Sequence, residues 1–298
     1  MRVSELEALD TEQINESSRA IDRMSALEIA TLMNQLDRTI PDAIRPALPQ
    51  IGKAIDAAEK ALRNGGRMLY VGAGTSGRLG VLDASECPPT FGVAPGTVMG
   101  LIAGGERALT DAVEGAEDDE EQAVADLKAC GAGSQDLVIG ITASGRTPYV
   151  CAALQYAKSL GCTTVSVSCV RGSRCSSISH ICIEAVTGAE VITGSTRLRA
   201  GTATKMILNM ISTGAMVRMG KVYGNLMVDL AARNEKLYLR CIRILREAAG
   251  IVEDEAVSTL KAAKGDLKAA ILMAKEGCSR EEALSRLKEN GGRIRDRE

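Results

Sequence analysis

Two stretches of this 298-residue chain place glycine and hydroxyl side chains where a short apolar run gives way to a helical pattern. The first is Gly72-Ala73-Gly74-Thr75-Ser76-Gly77-Arg78. A glycine-rich turn of this kind exposes backbone N–H groups at the positive end of a helix, which suits an anion. It is not the dinucleotide fingerprint, because no acidic residue closes a second strand at the usual distance, and it lacks the GK[ST] of a Walker A loop. Tight strand–helix packing alone would also explain it. The second stretch is Thr142-Ala143-Ser144-Gly145-Arg146-Thr147-Pro148. Pro148 suits a first helical turn, and an ordinary cap uses one hydroxyl. Three hydroxyls plus free N–H groups match a phosphate monoester. A third segment, Gly188–Thr202, carries Glu190, Ser195, Arg197 and Arg199, with Lys205 just beyond. Its cations could close over an anion. A solvated helix start is the plain alternative, since cations there are slightly unfavourable.

Two carboxylates stand beside these loops. Glu86 lies in Asp83-Ala84-Ser85-Glu86-Cys87-Pro88-Pro89-Thr90, where the proline pair is expected to end the first helix and fix an extended loop. Glu117 lies in the acidic run Glu114–Glu121, at the expected start of a helix. Near a sugar phosphate, such a pair could act as general acid and base. A surface ion pair for Glu86 and a charge-complemented helix start for the acidic run are the competing readings.

Composition narrows the chemistry further. His180 is the only histidine, there is no tryptophan, and the aromatics are five tyrosines and one phenylalanine. Histidine triads and multi-histidine metal sites are thereby set aside, and His180, in the fifth apolar run, reads as structural. A net charge of -2 gives no basic field for nucleic acid, and so few aromatics make no row of stacking platforms. Nine scattered cysteines without a CxxC read as core thiols in a reducing, cytoplasmic compartment. No segment reads as a secretory signal or a membrane span.

The elements that must position these residues follow from hydrophobic pattern. Apolar runs at 68–72, 97–103, 136–142, 163–168 and 180–185 alternate with helical stretches at 77–85, 117–129, 148–160 and 200–219. Short runs apolar throughout and separated by helices indicate a doubly wound α/β domain with a five-stranded parallel sheet. Ligands bind such sheets at the carboxyl ends of the strands. Before it, residues 1–25 read as a polar arm that orders only against something else, and 25–64 as helical. After it, helical patterns at 236–248, 252–262, 266–274 and 280–288 read as a small bundle similar to a ubiquitin-associated unit. The expected division is 1–44 for the arm and helix, 45–233 for the sugar-phosphate domain and 234–298 for the bundle.

Taken together, LYVGAGTSGRLGVLDASECPPTFG, GLIAGGERALTDAVEGAEDD, GITASGRTPYV and TGAEVITGSTRLRAGTATKMILNMISTGAMVRMGKVYGNLMVDL resemble the N-acetylmuramic acid 6-phosphate etherases, of the sugar isomerase (SIS) fold superfamily. The likeness spans nearly the whole chain, and DASECPPT and EGAED are its most specific parts. It departs in the arm, where Thr11–Glu16 lacks the family's acidic-arginine-asparagine stretch. The resemblance implies cleavage of the D-lactyl ether at C3 by elimination then hydration, with no cofactor or metal. It implies Glu86 as proton donor to lactate and Glu117 as the second catalytic carboxylate. Gly74, Thr75, Ser76, Thr142, Ser144, Gly145, Arg146, Thr147, Glu190 and Ser195 would bind the sugar phosphate. It also implies a homodimer, to which the helices at 25–64 and 200–219 could contribute. Two other readings keep the phosphate loops: a non-catalytic sugar-phosphate sensor similar to glucokinase regulatory protein, and an aldose–ketose isomerase. The sensor does not require Glu86 and Glu117 together, and the isomerase leaves DASECPPT unexplained.

Overall fold

Each of the five apolar runs becomes a strand. In the computed structural model, which describes residues 10–230 and 235–295, they are β1 (Met68–Gly72), β2 (Val98–Ile102), β3 (Leu137–Ile141), β4 (Thr163–Ser168) and β5 (Ile181–Glu184). They form one sheet in the order β2-β1-β3-β4-β5, parallel at every pairing. Successive side chains of a strand point to opposite faces. Leu69, Val71 and Val138 enter one core, while their neighbours Met68, Tyr70 and Ile139 are equally buried on the other side. Both faces are therefore covered, as continuous apolar strands require.

The helices are α1 (Ala26–Asp37), α2 (Ile40–Ile44), α3 (Leu48–Arg63), α4 (Gly74–Phe91), α5 (Glu120–Ala129), α6 (Pro148–Ser159), α7 (Arg174–Ile178) and α8 (Arg199–Arg218). Their starts follow local chemistry. Ser25 and Glu28 make a capping box for α1, Asp119 caps α5, and Pro148 occupies the first turn of α6. The core on the α5–α6 side joins Ala123 and Leu127 to Tyr149, Val150, Ala153 and Leu154. Burying one such large apolar side chain contributes about 1.5–3 kcal/mol.

The chain divides into two compact units, Met1–Ser85 with Gly96–Ser212, and Glu86–Pro95 with Thr213–Glu298. The second holds a short antiparallel ribbon, β6 (Val222–Tyr223) and β7 (Leu226–Met227). Its helices are α9 (Glu235–Ala249), α10 (Glu253–Ala262), α11 (Leu267–Glu276) and α12 (Arg280–Glu289). They close on Cys241, Leu245, Leu260, Ile271 and Leu287. Asp266 and Ser279 cap α11 and α12, and Gly277 ends α11 in the left-handed conformation.

Three expectations are corrected. Pro88 and Pro89 do not end the first helix, which continues to Phe91. A proline gives up its N–H bond and crowds the preceding turn, but its fixed φ is itself helical. The bond from Gly92 N–H to the Pro88 carbonyl, at 3.0 Å, closes the last turn. Cys87 and Phe91 keep that turn packed, at 2% and 9% exposure. Second, Glu117 precedes the next helix instead of opening it, and lies in a 3-10 turn, Ala116–Asp118. Asp119 stands between the two because its carboxylate takes the Gln122 N–H as the cap of α5. Third, the arm does not wait for another partner. From Asp10 it runs as 3-10 turns, buries Thr11, and donates from the Asn15 amide to the Ala189 carbonyl at 3.4 Å. Residues 1–9 lie outside the described residues.

Candidate active site

The strand order reverses between β1 and β3, the switch point where a doubly wound sheet opens a crevice at its carboxyl edge. Gly72 pairs with Ile141 across it, so the two glycine–hydroxyl loops emerge side by side. In the β3–α6 loop the Thr142 hydroxyl lies 2.8 Å from that of Thr147 and 3.4 Å from that of Ser144. The Thr147 side chain makes no cap bond to α6. The three hydroxyls therefore gather at one point, ahead of a helix that Thr147 does not cap with its side chain.

The loop's shape depends on Gly145. It has φ +69°, and a Cβ there would lie 2.1 Å from the Ser173 Cβ. Its N–H bonds the Thr142 carbonyl at 3.2 Å, and its own carbonyl takes the Cys175 N–H at 2.9 Å. Only a residue without a side chain combines that left-handed turn with that approach. Glu184 braces the far side, accepting from the Gly172 and Ser173 N–H groups and the Ser176 hydroxyl. Burial pushes the Glu184 carboxyl up, but the Ser176 hydroxyl and those two N–H groups outweigh it, leaving it below its ordinary value. Arg146 is half-buried beside the loop.

On β1, Gly74 turns with φ +51° into α4, and Thr75 and Ser76 sit half-buried in its first turn. The first helical bond runs from the Gly77 N–H to the Ala73 carbonyl, so the amides of Gly74, Thr75 and Ser76 precede it. The Thr75 methyl lies where a Cβ on Gly201 would meet it at 3.6 Å, bringing the start of α8 to this loop. Arg78 donates to the Leu109 and Asp111 carbonyls and ties down the segment after β2.

Glu190 is fully buried, and both its oxygens are engaged. They accept the Arg199 and Ala200 N–H groups, each at 2.9 Å, so this carboxylate caps α8 from nine and ten residues upstream. Burial pushes its pKa up, against the pull of those two N–H groups. Arg199 donates to the Ala189 carbonyl and the Thr39 hydroxyl and is itself buried. Ser195 is half-buried in the turn before α8.

Glu117 is exposed, on a turn that follows Gly115 in the left-handed conformation. Its neighbour Ala116 is partly buried and packs against the core cluster that includes Tyr149 and Val150. Glu86 belongs to the other compact unit and is exposed near the end of α4. Among the described residues no group of three or more His, Cys, Asp or Glu is arranged to hold a metal ion, and no helix is long and apolar enough to cross a membrane. His180, just before β5, accepts the Thr164 N–H at Nδ1 at 3.1 Å.

Asp83 escaped the sequence reading. It is 6% exposed and accepts from the Tyr70 hydroxyl at 2.7 Å, the Asn209 amide at 2.6 Å and the Ser212 hydroxyl at 3.1 Å. An acidic residue set among apolar positions of an amphipathic helix, one turn before Glu86, was the available signal.

The sheet and its hydroxyl-lined switch point are those of an SIS domain. Residues 50–158 match the family model of the glucokinase regulatory protein N-terminal SIS domain. Proteins named N-acetylmuramic acid 6-phosphate etherase, from Escherichia coli and Escherichia fergusonii, are each 53% identical to this chain over 291 residues, covering 98% of both sequences. The chain belongs to the N-acetylmuramic acid 6-phosphate etherase family. Among solved structures it is similar to a phosphoheptose isomerase from Francisella tularensis (TM-score 0.48, 18% identity, 64% of this chain and 100% of that one). It is also similar to the Vibrio vulnificus NanR protein complexed with ManNAc-6P (TM-score 0.45, 17% identity, 67% and 66%).

Proposed function

We propose that this chain cleaves the lactyl ether of N-acetylmuramic acid 6-phosphate, with water, to N-acetylglucosamine 6-phosphate and D-lactate. The observation that carries the reading is the gathering of Thr142, Ser144 and Thr147 at the switch point of an etherase-family chain. Their hydroxyls and the first N–H groups of α6 hold the phosphate, with Gly145 and Arg146 shaping the loop. Gly74, Thr75, Ser76 and Ser195 surround the sugar, and Glu190 holds the start of α8 in place. Glu117 takes the C2 proton, which the C1 aldehyde of the open-chain sugar acidifies. The C3–oxygen bond breaks, and Glu86 protonates the departing lactate oxygen. Water then adds at C3: Glu86, now a carboxylate, takes the water's proton as the hydroxyl joins carbon, and Glu117 returns its proton to C2, so the two carboxylates end as they began. No step needs imidazole, in keeping with a single histidine spent on Thr164.

The arm and first helix (1–44), the sugar-phosphate domain (45–233) and the helical bundle (234–298) are the proposed functional divisions. We also place the protein in the cytoplasm as a homodimer. The nine free cysteines support a reducing compartment. The exposed Leu27 and Leu48, on α1 and α3, support an interface between copies. The test is turnover of N-acetylmuramic acid 6-phosphate in water enriched in heavy oxygen. Label at C3 of the product with release of D-lactate is the expected result. Tight binding without turnover would refute the reading in favour of a sensor, and an aldose–ketose product would refute it in favour of an isomerase.

A further inference from the structure

Tyr149 is the second residue of α6, two positions after Thr147, and its side chain is fully buried. Its hydroxyl donates to the Asp126 carboxylate on α5 at 2.5 Å. The other Asp126 oxygen accepts from the Gln122 amide at 2.7 Å, one turn earlier on the same helix. Gln122 in turn gives its backbone N–H to Asp119, the residue that joins α5 to the Glu117 turn. That turn packs on α6, with the partly buried Ala116 against the core cluster to which Tyr149 belongs. A continuous set of bonds thus runs from the turn carrying Glu117, through Asp119, Gln122 and Asp126, to the helix whose start carries Thr147. The backbone bonds of the 3-10 turn, Ala116 to Val113, Asp118 to Gly115 and Asp119 to Ala116, have the poorer geometry of such turns and give it little stiffness of its own. Burial, and then the bond to Asp126, push the Tyr149 phenol above its ordinary value, which favours the protonated, donating form.

We infer that Tyr149 and Asp126 are positioning residues that set the distance between the Glu117 carboxylate and the hydroxyl cradle for the phosphate. The inference rests on the reading of Glu117 as the base at C2. The phosphate anchors one end of the sugar and the base must reach C2 near the other, so their separation decides whether the proton is within reach. Neither residue needs to touch the substrate. A displacement of about 1 Å in such a brace costs up to about 100-fold in rate without weakening the grip on the phosphate.

The test compares Tyr149→Phe, Asp126→Ala and Asp126→Asn with the parent protein, on N-acetylmuramic acid 6-phosphate and by exchange of the C2 hydrogen in heavy water. Tyr149→Phe keeps the ring and its packing. It is expected to lower kcat and C2 exchange together by about 10–100-fold, with KM changed less than about 3-fold. Asp126→Ala, which also leaves the Gln122 amide without its acceptor, should lose at least as much, and the double variant should fall no further than Asp126→Ala alone, since the Tyr149–Asp126 bond is already gone. Asp126→Asn keeps an oxygen for the tyrosine and should retain most of the activity. A merely structural role predicts instead a lowered melting temperature with kcat per folded molecule unchanged; that result, a loss confined to KM, or losses that multiply would each overturn the inference. Should Tyr149→Phe fail to fold, the contrast of Asp126→Ala with Asp126→Asn decides it alone. Glu117→Gln separates the two levels. If it abolishes exchange while Tyr149→Phe leaves exchange intact, positioning fails and the base stands; if it retains exchange, the base assignment falls and the inference with it.

Discussion

Replacing Gly145 by alanine tests whether the hydroxyl cradle is held as the structure shows. Two effects add. A non-glycine residue at φ +69° takes on left-handed strain of about 1–2 kcal/mol. The new Cβ would also lie 2.1 Å from the Ser173 Cβ, 2.8 Å from its Oγ and 3.2 Å from the Val170 Cγ2. Carbon pairs pack best at about 3.5–4.0 Å, so one wall must retreat by roughly 1.4 Å. Overpacking of this kind costs about 1–3 kcal/mol. The expected loss in urea unfolding is therefore about 2–5 kcal/mol, a large share of the usual 5–15 kcal/mol of total stability (about 0.05–0.15 kcal/mol per residue). Retreat also carries the Gly145 carbonyl off Cys175 and opens the 2.8 Å contact between Thr142 and Thr147. KM for the phosphorylated sugar should rise by about 10–100-fold, the equivalent of one or two hydrogen bonds to a charged group.

The double variant Gly145→Ala with Ser173→Gly isolates the collision. Ser173 caps α7 through the Ser176 N–H at 3.1 Å, and glycine is a tolerable substitute, costing a few tenths of a kcal/mol. Removing its side chain should return about 1–3 kcal/mol, while the left-handed strain remains. If Gly145→Ala unfolds within about 0.5 kcal/mol of the parent, or if the two substitutions simply add, the close approach of the two loops is wrong.

Other perturbations probe separate links. Thr142→Val keeps shape but removes the central hydroxyl; KM should rise about 10-fold with little change in kcat, and steady-state kinetics in which only kcat falls would contradict its role in ground-state binding. Asp83→Ala withdraws the acceptor shared by Tyr70, Asn209 and Ser212, and chemical denaturation should show a loss of about 2–4 kcal/mol, against less than about 1 if that network is incidental. At Asp136, burial pushes the carboxyl up, but the Arg67 guanidinium and the Gly133 and Arg67 N–H groups outweigh it, so it titrates below its ordinary value. A lowered folded pKa means stability present in full above the unfolded value near 3.9 and lost as pH falls through the folded one. Asp136→Asn should thus be less stable than the parent at pH 7, with the gap narrowing below about pH 4; an equal gap at pH 7 and pH 2.5 would rule out this linkage.

The features legible in the sequence share a physical property: their meaning is local. A strand buried on both faces is mostly apolar or β-branched, so even β4, with buried serines at 166 and 168, announced itself through Thr163, Thr164, Val165 and Val167. The cradle was legible because Thr142, Ser144 and Thr147 are near neighbours in the chain and together exceed what a helix cap uses. The continued helix at Pro88-Pro89 was not, because a local rule about proline was outweighed by the burial of Cys87 and Phe91. Partners far apart in sequence leave no local trace at all. Asp83 meets Asn209 and Ser212 across 126 and 129 positions, and nothing in DASECPPT specifies them.

Glu190 marks the boundary between the two cases. The cations Arg197 and Arg199 at the start of α8 oppose the helix dipole, so the sequence allowed either an anion closing there or an ordinary solvated start. The structure supplies an anion from the chain itself. Glu190, buried and bonded to the first two N–H groups of α8, answers both the unsatisfied amides and the positive charge of Arg199. The sequence left the two readings open, and Glu190 itself was expected beside the sugar, not as the cap of α8. A phosphate and a carboxylate nine residues upstream make the same demand on a helix start, and only the path of the chain between Glu190 and Arg199 distinguishes them. Where a charge pattern calls for a counter-charge, the protein's own carboxylates must therefore be placed before a ligand is assigned. At α8 that placement leaves the proposed phosphate site to the neutral donors of the β3–α6 loop, whose hydroxyl cluster contains no carboxylate.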